Sequence, residues 1–327
     1  MRRITALALL LPLAACGERV IELSGDTMGT KYHVRIVGGA EAAARARVAI
    51  DELLAATDAR FSLWREDSAI ARFNAWRESG PFPVDDEFVA VLRLALQLAA
   101  ASGGAYDPTI LPVTRLWGFI GGEKREPSAD ELAAALSAVG WQKLEIRADG
   151  GLVKLDPRVE LDLNSIAPGA AADAISARLK ALGLGRHMVD IGGEIVCRGT
   201  RPGGDAWQIG IELPGSEPTA PLVQRVVGLR DAALATSGSY RNWFQSQGAR
   251  RHHIVDAHTG RNAPSPVISV SVEAPEAALA DGLSTVLMIL GPEPAQRVLD
   301  SFAPARCRAL FLVLGEDGRL SERGIGW

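Results

Sequence analysis

Asp281 and Thr285 stand four residues apart in "ADGLSTVLMILG", whose apolar spacing predicts a helix, so their side chains fall on one face. They offer only hard oxygen donors, a set that suits Mg²⁺ better than a soft transition metal. The same spacing also fits an acid near a helix N-terminus and an ordinary helix threonine, and the pair alone leaves both readings open. His252, His253 and His258 are three of the five histidines in the chain. They lack the H-E-x-x-H spacing of a zinc site. A third signal is "LDLNSIAPGAAADAI", Leu161 to Ile175, which begins as an alternating strand, passes through Asn-Ser and Pro-Gly, and ends as an alanine-rich helix. Such a junction leaves backbone groups free to point at a ligand.

The elements that must hold these residues are mixed. Alternation in "YHVRIV" (32–37) predicts a strand, and "AEAAARARVAIDELLAATDAR" (40–60) has helical spacing. "DDEFVAVLRLALQLAAASGG" reads as a helix opened by acids and closed by glycines. Ser128 and Glu131 form a capping box before "LAAALSAVG", and "KLEIRADGGLVKLD" is a hairpin about Asp-Gly-Gly. A helix is expected from about Ala170 to Leu182, followed by short strands at "HMVDIGGEIVCRG", "WQIGIEL", "QRVVGLRD", "HHIVDA", "ISVSVEA" and "CRALFLVL". No repeat or long linker interrupts the 327 residues, of which 47% are hydrophobic. The expectation is one large α+β domain of mixed, largely antiparallel sheets with packed helices.

Several functions are excluded by pattern. Gly183 and Gly185 are followed by Met188 where a dinucleotide fingerprint needs glycine, and they follow a helix, so they read as a helix stop. No G-x-S-x-G surrounds Ser237 or Ser239. Residues 1–15 combine two arginines with an apolar run from Ile4 to Leu13, too short to span a bilayer and suited to a secretory signal. Leu13-Ala14-Ala15-Cys16 resembles the lipobox of bacterial lipoproteins. That resemblance implies a lipidated Cys16, a tether over 16–24 and a domain over 25–327, exported and membrane-anchored on the periplasmic or extracytoplasmic side. Removal of residues 1–15 takes the formal charge from −4 to −6, so no nucleic-acid partner is expected. Cys197 and Cys307 remain, either paired by export or, as their strand-like neighbours favour, two free buried thiols.

Small, polar, glycine-flanked segments recur at the predicted element ends. Any one of them suits a turn or a cap. In order they are Met28-Gly29-Thr30, Ser62-Leu63-Trp64 with Ser68 and Asn74, "GGAYDPTILPVTRLWGF", "LDLNSIAPG", "VDIGGE", "ATSGSY", "HIVDAHTG" and "ADGLST". This ordered set resembles the ApbE family of FAD:protein FMN transferases, from about Gly25 to Gly291. The resemblance implies an ApbE-like single domain and Mg²⁺-dependent transfer of FMN from FAD to a threonine hydroxyl of a membrane-bound electron-transfer flavoprotein. It assigns FAD contacts to Met28, Trp64, Ala105, Tyr106, Asp107, Asp162, Pro168, Gly169, Ser237 and Val255. Mg²⁺ falls to Asp281, Thr285 and the Ser165 carbonyl, pyrophosphate to the following helix start, and ring packing to Trp64, Tyr106 or Met28. His253, with an ordinary pKa near ~6.5, is the expected base, and Asp281 shares the catalytic assignment. Pro168 and Ala170 depart from the family's usual lysine, glutamate or glutamine and its aromatic, and Ala257 replaces a common proline. Two alternatives stay open: hydrolysis of FAD to FMN and AMP at the same metal site with water as acceptor, and non-catalytic FAD carriage or assembly, which the Pro168 and Ala170 departures allow.

Overall fold

The computed structural model describes residues 18–215 and 222–327. Strands β1 (Val20–Thr27) and β2 (Thr30–Val37) form a hairpin, followed by helices α1 (Ala40–Phe61), α2 (Ala69–Ala75), α3 (Asp86–Ala101), α4 (Leu111–Leu116) and α5 (Ala129–Leu136). A short hairpin, β3 (Leu144–Ile146) and β4 (Leu152–Lys154), precedes α6 (Ala167–Ala181). Then come β5 (His187–Ile191), β6 (Glu194–Arg198), β7 (Trp207–Glu212), β8 (Val223–Leu229), β9 (Ala232–Gly238), β10 (Trp243–Ser246) and β11 (Ala249–His252). The chain closes with β12 (Val267–Ala274), α7 (Ala277–Leu290), α8 (Ala295–Asp300), β13 (Arg308–Leu314) and β14 (Leu320–Ile325). An eight-stranded sheet in the order β1-β2-β5-β6-β9-β12-β13-β14, antiparallel at every pairing, is the spine.

Period-two alternation decides what each face of this sheet buries. Val34 and Ile36 of β2, Val189 of β5 and Val196 of β6 pack with Ile50 and Leu54 of α1 and Ile175 and Leu179 of α6. Met188, Ile195, Cys197 and Leu234 turn the other way, onto Trp207, Ile209 and Ile211 of the β7–β8 hairpin. Burial on both faces explains why "HMVDI" and "EIVCR" read as nearly continuous apolar runs. α7 lies among β9, β12, α3 and α6. It is apolar nearly all round because it is covered nearly all round, and Asp281 and Ser284 are buried with it. The Ser128–Glu131 box is formed reciprocally, at 3.2 and 2.8 Å.

Four sequence expectations need correction. α6 begins at Ala167 rather than Ala170, since Pro168 sits in the first helical turn, where its missing N–H has no partner to lose. Residues 20–24 are not tether but the first half of β1, paired with 33–37 of β2. "HHIVDA" is strand only to His252; beyond it the backbone is held by the Asn262 side chain and by the carbonyls of Asn242, Arg261 and Ala105. Both cysteines are free, but only Cys197 is buried, Cys307 being partly exposed. Residues 1–15 and Cys16 lie outside the described residues.

Candidate active site

One cleft opens at the ends of the sheet's central strands, where the β5–β6 turn, the end of β9 and the middle of α7 meet. Its cavity volume is about 320 Å³, within the range of small-molecule sites, and it is open to solvent at its mouth. Tyr106, Asp107, Asp162, Ser165, Ser237 and Val255 line it together with His253, Asp281 and Thr285. The loops after α3 and before α6 are joined by the Asp162 N–H, which donates to Pro108 O at 2.8 Å. The Tyr106 hydroxyl meets Ser165 Oγ at 3.0 Å.

Asp281 is only 6% exposed, yet among the described residues no lysine or arginine forms an ion pair with it. Its Oδ2 accepts one hydrogen bond, from the Gly169 N–H at 3.3 Å. That bond exists because α6 and α7 touch at residue 169: a Cβ there would lie 2.5 Å from Ala277 O, so only glycine allows the approach. Burial, then repulsion from Glu194, pushes the Asp281 carboxyl well above the usual carboxylate range. A buried carboxylate without a counter-charge is expensive unless a cation joins it.

The hydroxyls beside it are arranged for the same purpose. Ser284 Oγ donates to Asp281 O at 2.8 Å, so it can only accept from Ser237 Oγ, 2.8 Å away. Ser237 has then spent its proton, and the 3.1 Å contact from Thr285 Oγ1 must be donated by the threonine. This relay turns the Thr285 proton toward Ser237 and leaves the oxygen's lone pairs for another partner. Among the described residues no three His, Cys, Asp or Glu gather as a metal cluster. One carboxylate with neutral oxygens, Asp281 and Thr285 beside Ser165, is nevertheless a donor set that fits a hard divalent cation completing its shell with substrate oxygens.

His253 lines the same cleft. Its backbone N–H and its Nδ1 both point at Asn242 O, at 3.1 and 3.3 Å. A carbonyl only accepts, so Nδ1 carries the proton and Nε2 keeps a lone pair. Burial lowers the His253 pKa below its ordinary 6.5, so the imidazole is neutral at pH 7. Asn242 is itself held by Lys124 Nζ, 2.7 Å from its Oδ1. His252 turns away, its Nδ1 3.3 Å from Asn262 Nδ2, as expected of adjacent residues at a strand end.

Other expected contacts sit differently. Trp64 is 66% exposed and is not among the residues that line the cleft. Met28 is at the β1–β2 hairpin tip with φ 45°, outside the cleft lining but on the hairpin whose Thr30 abuts Gly192. Ala105 is buried and its carbonyl accepts the Ala257 N–H at 2.9 Å. Pro168 and Gly169 act from behind the wall, in the first turn of α6. The Asp107 carboxylate is occupied within its own loop, accepting from Thr109 N and Oγ1 and from Trp141 N at 2.7–2.8 Å. Tyr106 lines the cleft but is only 5% exposed.

Sequence reasoning did not single out Glu194, Arg241 or Asn242, although all three lie in or beside the segments "VDIGGE" and "ATSGSY". Arg241 reaches Gly192 O at 3.2 Å and Glu212 Oε2 at 2.9 Å, placing a cation on the cleft wall. Burial, then Asp190, pushes the Glu194 carboxyl upward.

Comparison with known proteins shows which family the chain resembles. The chain is 38% identical over 284 residues to the FAD:protein FMN transferase of Klebsiella pneumoniae, covering 85% of this chain and 80% of that protein. It is 36% identical over 326 residues to the FAD:protein FMN transferase of Haemophilus influenzae, covering 96% and 92%. The fold matches flavin transferase ApbE from Vibrio cholerae with a TM-score of 0.83 at 32% identity, over 94% of this chain and 97% of that one. The apo form of Pseudomonas stutzeri flavinyl transferase ApbE gives 0.83 at 34% identity, over 94% and 95%. The ApbE family pattern matches residues 28–311, which takes in every residue that lines the cleft, and the chain belongs to the ApbE family.

Proposed function

We propose that this enzyme transfers the FMN half of FAD to a threonine hydroxyl of an acceptor flavoprotein and releases AMP. The observation that carries this reading is the meeting, in one cleft, of a neutral imidazole protonated on Nδ1 and a buried carboxylate that, among the described residues, has no lysine or arginine paired to it. Asp281, Thr285 and the Ser165 carbonyl would hold Mg²⁺. When bound there, the ion supplies positive charge against the pyrophosphate oxygens. Arg241 adds a fixed charge on the cleft wall.

The acceptor oxygen forms a bond to the FMN-side phosphorus while the bond from that phosphorus to the bridging oxygen breaks, and AMP departs with the bridging oxygen. His253 Nε2 takes the hydroxyl proton, its Nδ1–H held by Asn242 O throughout. Tyr106 and Ser165 brace the loop before α6. The acceptor is a subunit of a membrane-bound electron-transfer flavoprotein, and the enzyme is anchored at the same membrane through lipid on Cys16, a reading supported by the lipobox-like Leu-Ala-Ala-Cys. Incubation of the purified protein with FAD, Mg²⁺ and the acceptor subunit tests the proposal. Covalent flavin fluorescence on the acceptor band is the expected result. Free FMN without labelled acceptor would establish hydrolysis instead, and unchanged FAD would leave a carrier.

A further inference from the structure

Resting on the reading of His253 as the base, we infer that Asn262 is its positioning residue, a side-chain clasp that fixes the backbone on both sides of the imidazole. The strand pattern stops at His252, and the next residues have no neighbouring strand to bond. Asn262 takes that place. Its Oδ1 accepts the His252 N–H at 3.0 Å, and its Nδ2 donates to His252 O at 2.7 Å and Ile254 O at 2.6 Å.

The amide can sit only one way round. Flipped, it would set an NH₂ against the His252 N–H and an oxygen against two carbonyls. Both Nδ2 protons are used on carbonyls, which leaves the 3.3 Å contact to His252 Nδ1 as a weak third interaction. Residue 253 is therefore bracketed: its own N–H and Nδ1 go to Asn242 O, and the carbonyls before and after it go to Asn262.

The clasp is itself held. Arg251 and Arg261, at the two ends of the loop that carries His253, each reach Glu126 Oε1 at 3.0 Å. Asp256 N donates to Arg261 O at 2.8 Å and closes the loop just before Asn262. This rigidity matters because a displacement of about 1 Å in a reacting group costs on the order of 10²-fold in rate. Asn262 touches no reacting atom; its effect passes through His253.

The test uses the full enzyme with FAD, Mg²⁺ and the acceptor subunit, comparing Asn262→Ala, the isosteric Asn262→Asp, His253→Ala and the double variant His253→Ala/Asn262→Ala. Asn262→Asp keeps the acceptor for His252 N–H but sets a carboxylate oxygen against two carbonyls, so it fails to rescue. Both single Asn262 variants should lose roughly 10- to 100-fold in kcat with KM for FAD within about twofold. The double variant should be no slower than His253→Ala, because a residue that acts only through another adds nothing once that one is gone. Full activity in Asn262→Asp, a loss confined to KM, or additive losses in the double variant would overturn the inference. Failure of the base reading shows separately, as wild-type kcat in His253→Ala, and a slow Asn262→Ala beside it would assign the clasp to something other than the imidazole.

Discussion

At the scale of single residues, two side chains carry opposite electrostatic problems. His253 is kept neutral by burial and oriented by Asn242 O. Loss of the imidazole in His253→Ala should cut the transfer rate by roughly 10²- to 10⁴-fold while FAD affinity changes little, measured by initial rates and flavin titration. Because only neutral imidazole takes the proton and its pKa lies below 6.5, the rate should rise with pH on an acid limb below that value and be flat at pH 7. Asp281 is the reverse case, a carboxylate penalised by burial until a cation arrives. Its folded pKa is raised, so above its ordinary 3.8 the metal-free fold bears the cost of ionising it. Asp281→Asn should therefore be at least as stable as wild type in EDTA, fail to gain thermal stability from Mg²⁺, and lose transfer. A melting curve that responds to Mg²⁺ as wild type does would remove Asp281 from the metal site. Both residues were singled out through the resemblance carried by "HIVDAHTG" and "ADGLST", since spacing alone left Asp281 and Thr285 equally readable as an ordinary helix pair; that they line one cleft is what the structure adds. Asn262 was not singled out, because its meaning comes from a loop that folds back over ten residues and leaves no periodic trace.

At the scale of elements, what positions the site is the contact of α6 with α7. Asp173 Oδ1 and Oδ2 accept the N–H groups of Ala277 and Ala278 at 2.9 Å each, so one helix caps the other's N-terminus. One turn back, Gly169 lets the backbones touch and delivers its N–H to Asp281. Gly169→Ala adds a methyl 2.5 Å from Ala277 O and 2.7 Å from its carbonyl carbon, atoms that cannot step aside. The helices must separate, and the expected outcome is a loss of about 1–3 kcal/mol in stability by denaturant titration with a larger loss of Mg²⁺ affinity. Unaltered stability and Mg²⁺ response would show that this contact does not set the site. α1 was legible from apolar spacing, α3 and α7 from apolar spacing with glycine stops, and the β3–β4 hairpin from its turn. The start of α6 was misplaced because Pro-Gly reads as a break, whereas proline in a first turn is compatible with helix. No local pattern announces that residues 169 and 277 meet.

At the scale of the whole molecule, the sheet separates the start of the described chain from the cleft. Glu18 pairs with Arg186 and Arg19 O accepts the Gly38 N–H, at the end of the sheet where β5 begins. The tip of the β1–β2 hairpin lies at the other end, where Gly192 N donates to Lys31 O beside the cleft. The eight residues of β1 span roughly 25 Å between these ends. The described chain therefore begins at the end of β1 away from the cleft. The anchor and the chemistry are then separable. Cys16→Ser should lose metabolic lipid labelling and leave the membrane fraction, yet flavinylate a soluble fragment of the acceptor at a rate within about twofold of wild type, since nothing at the far end of β1 touches His253 or Asp281. Transfer to the intact membrane-bound acceptor should fall much further, because anchoring confines enzyme and acceptor to one surface and raises their effective concentration. Lipid label that persists in Cys16→Ser would rule out this cysteine as the anchor, and equal losses on soluble and membrane-bound acceptor would show that the substitution acts on the catalytic domain rather than on where it is held.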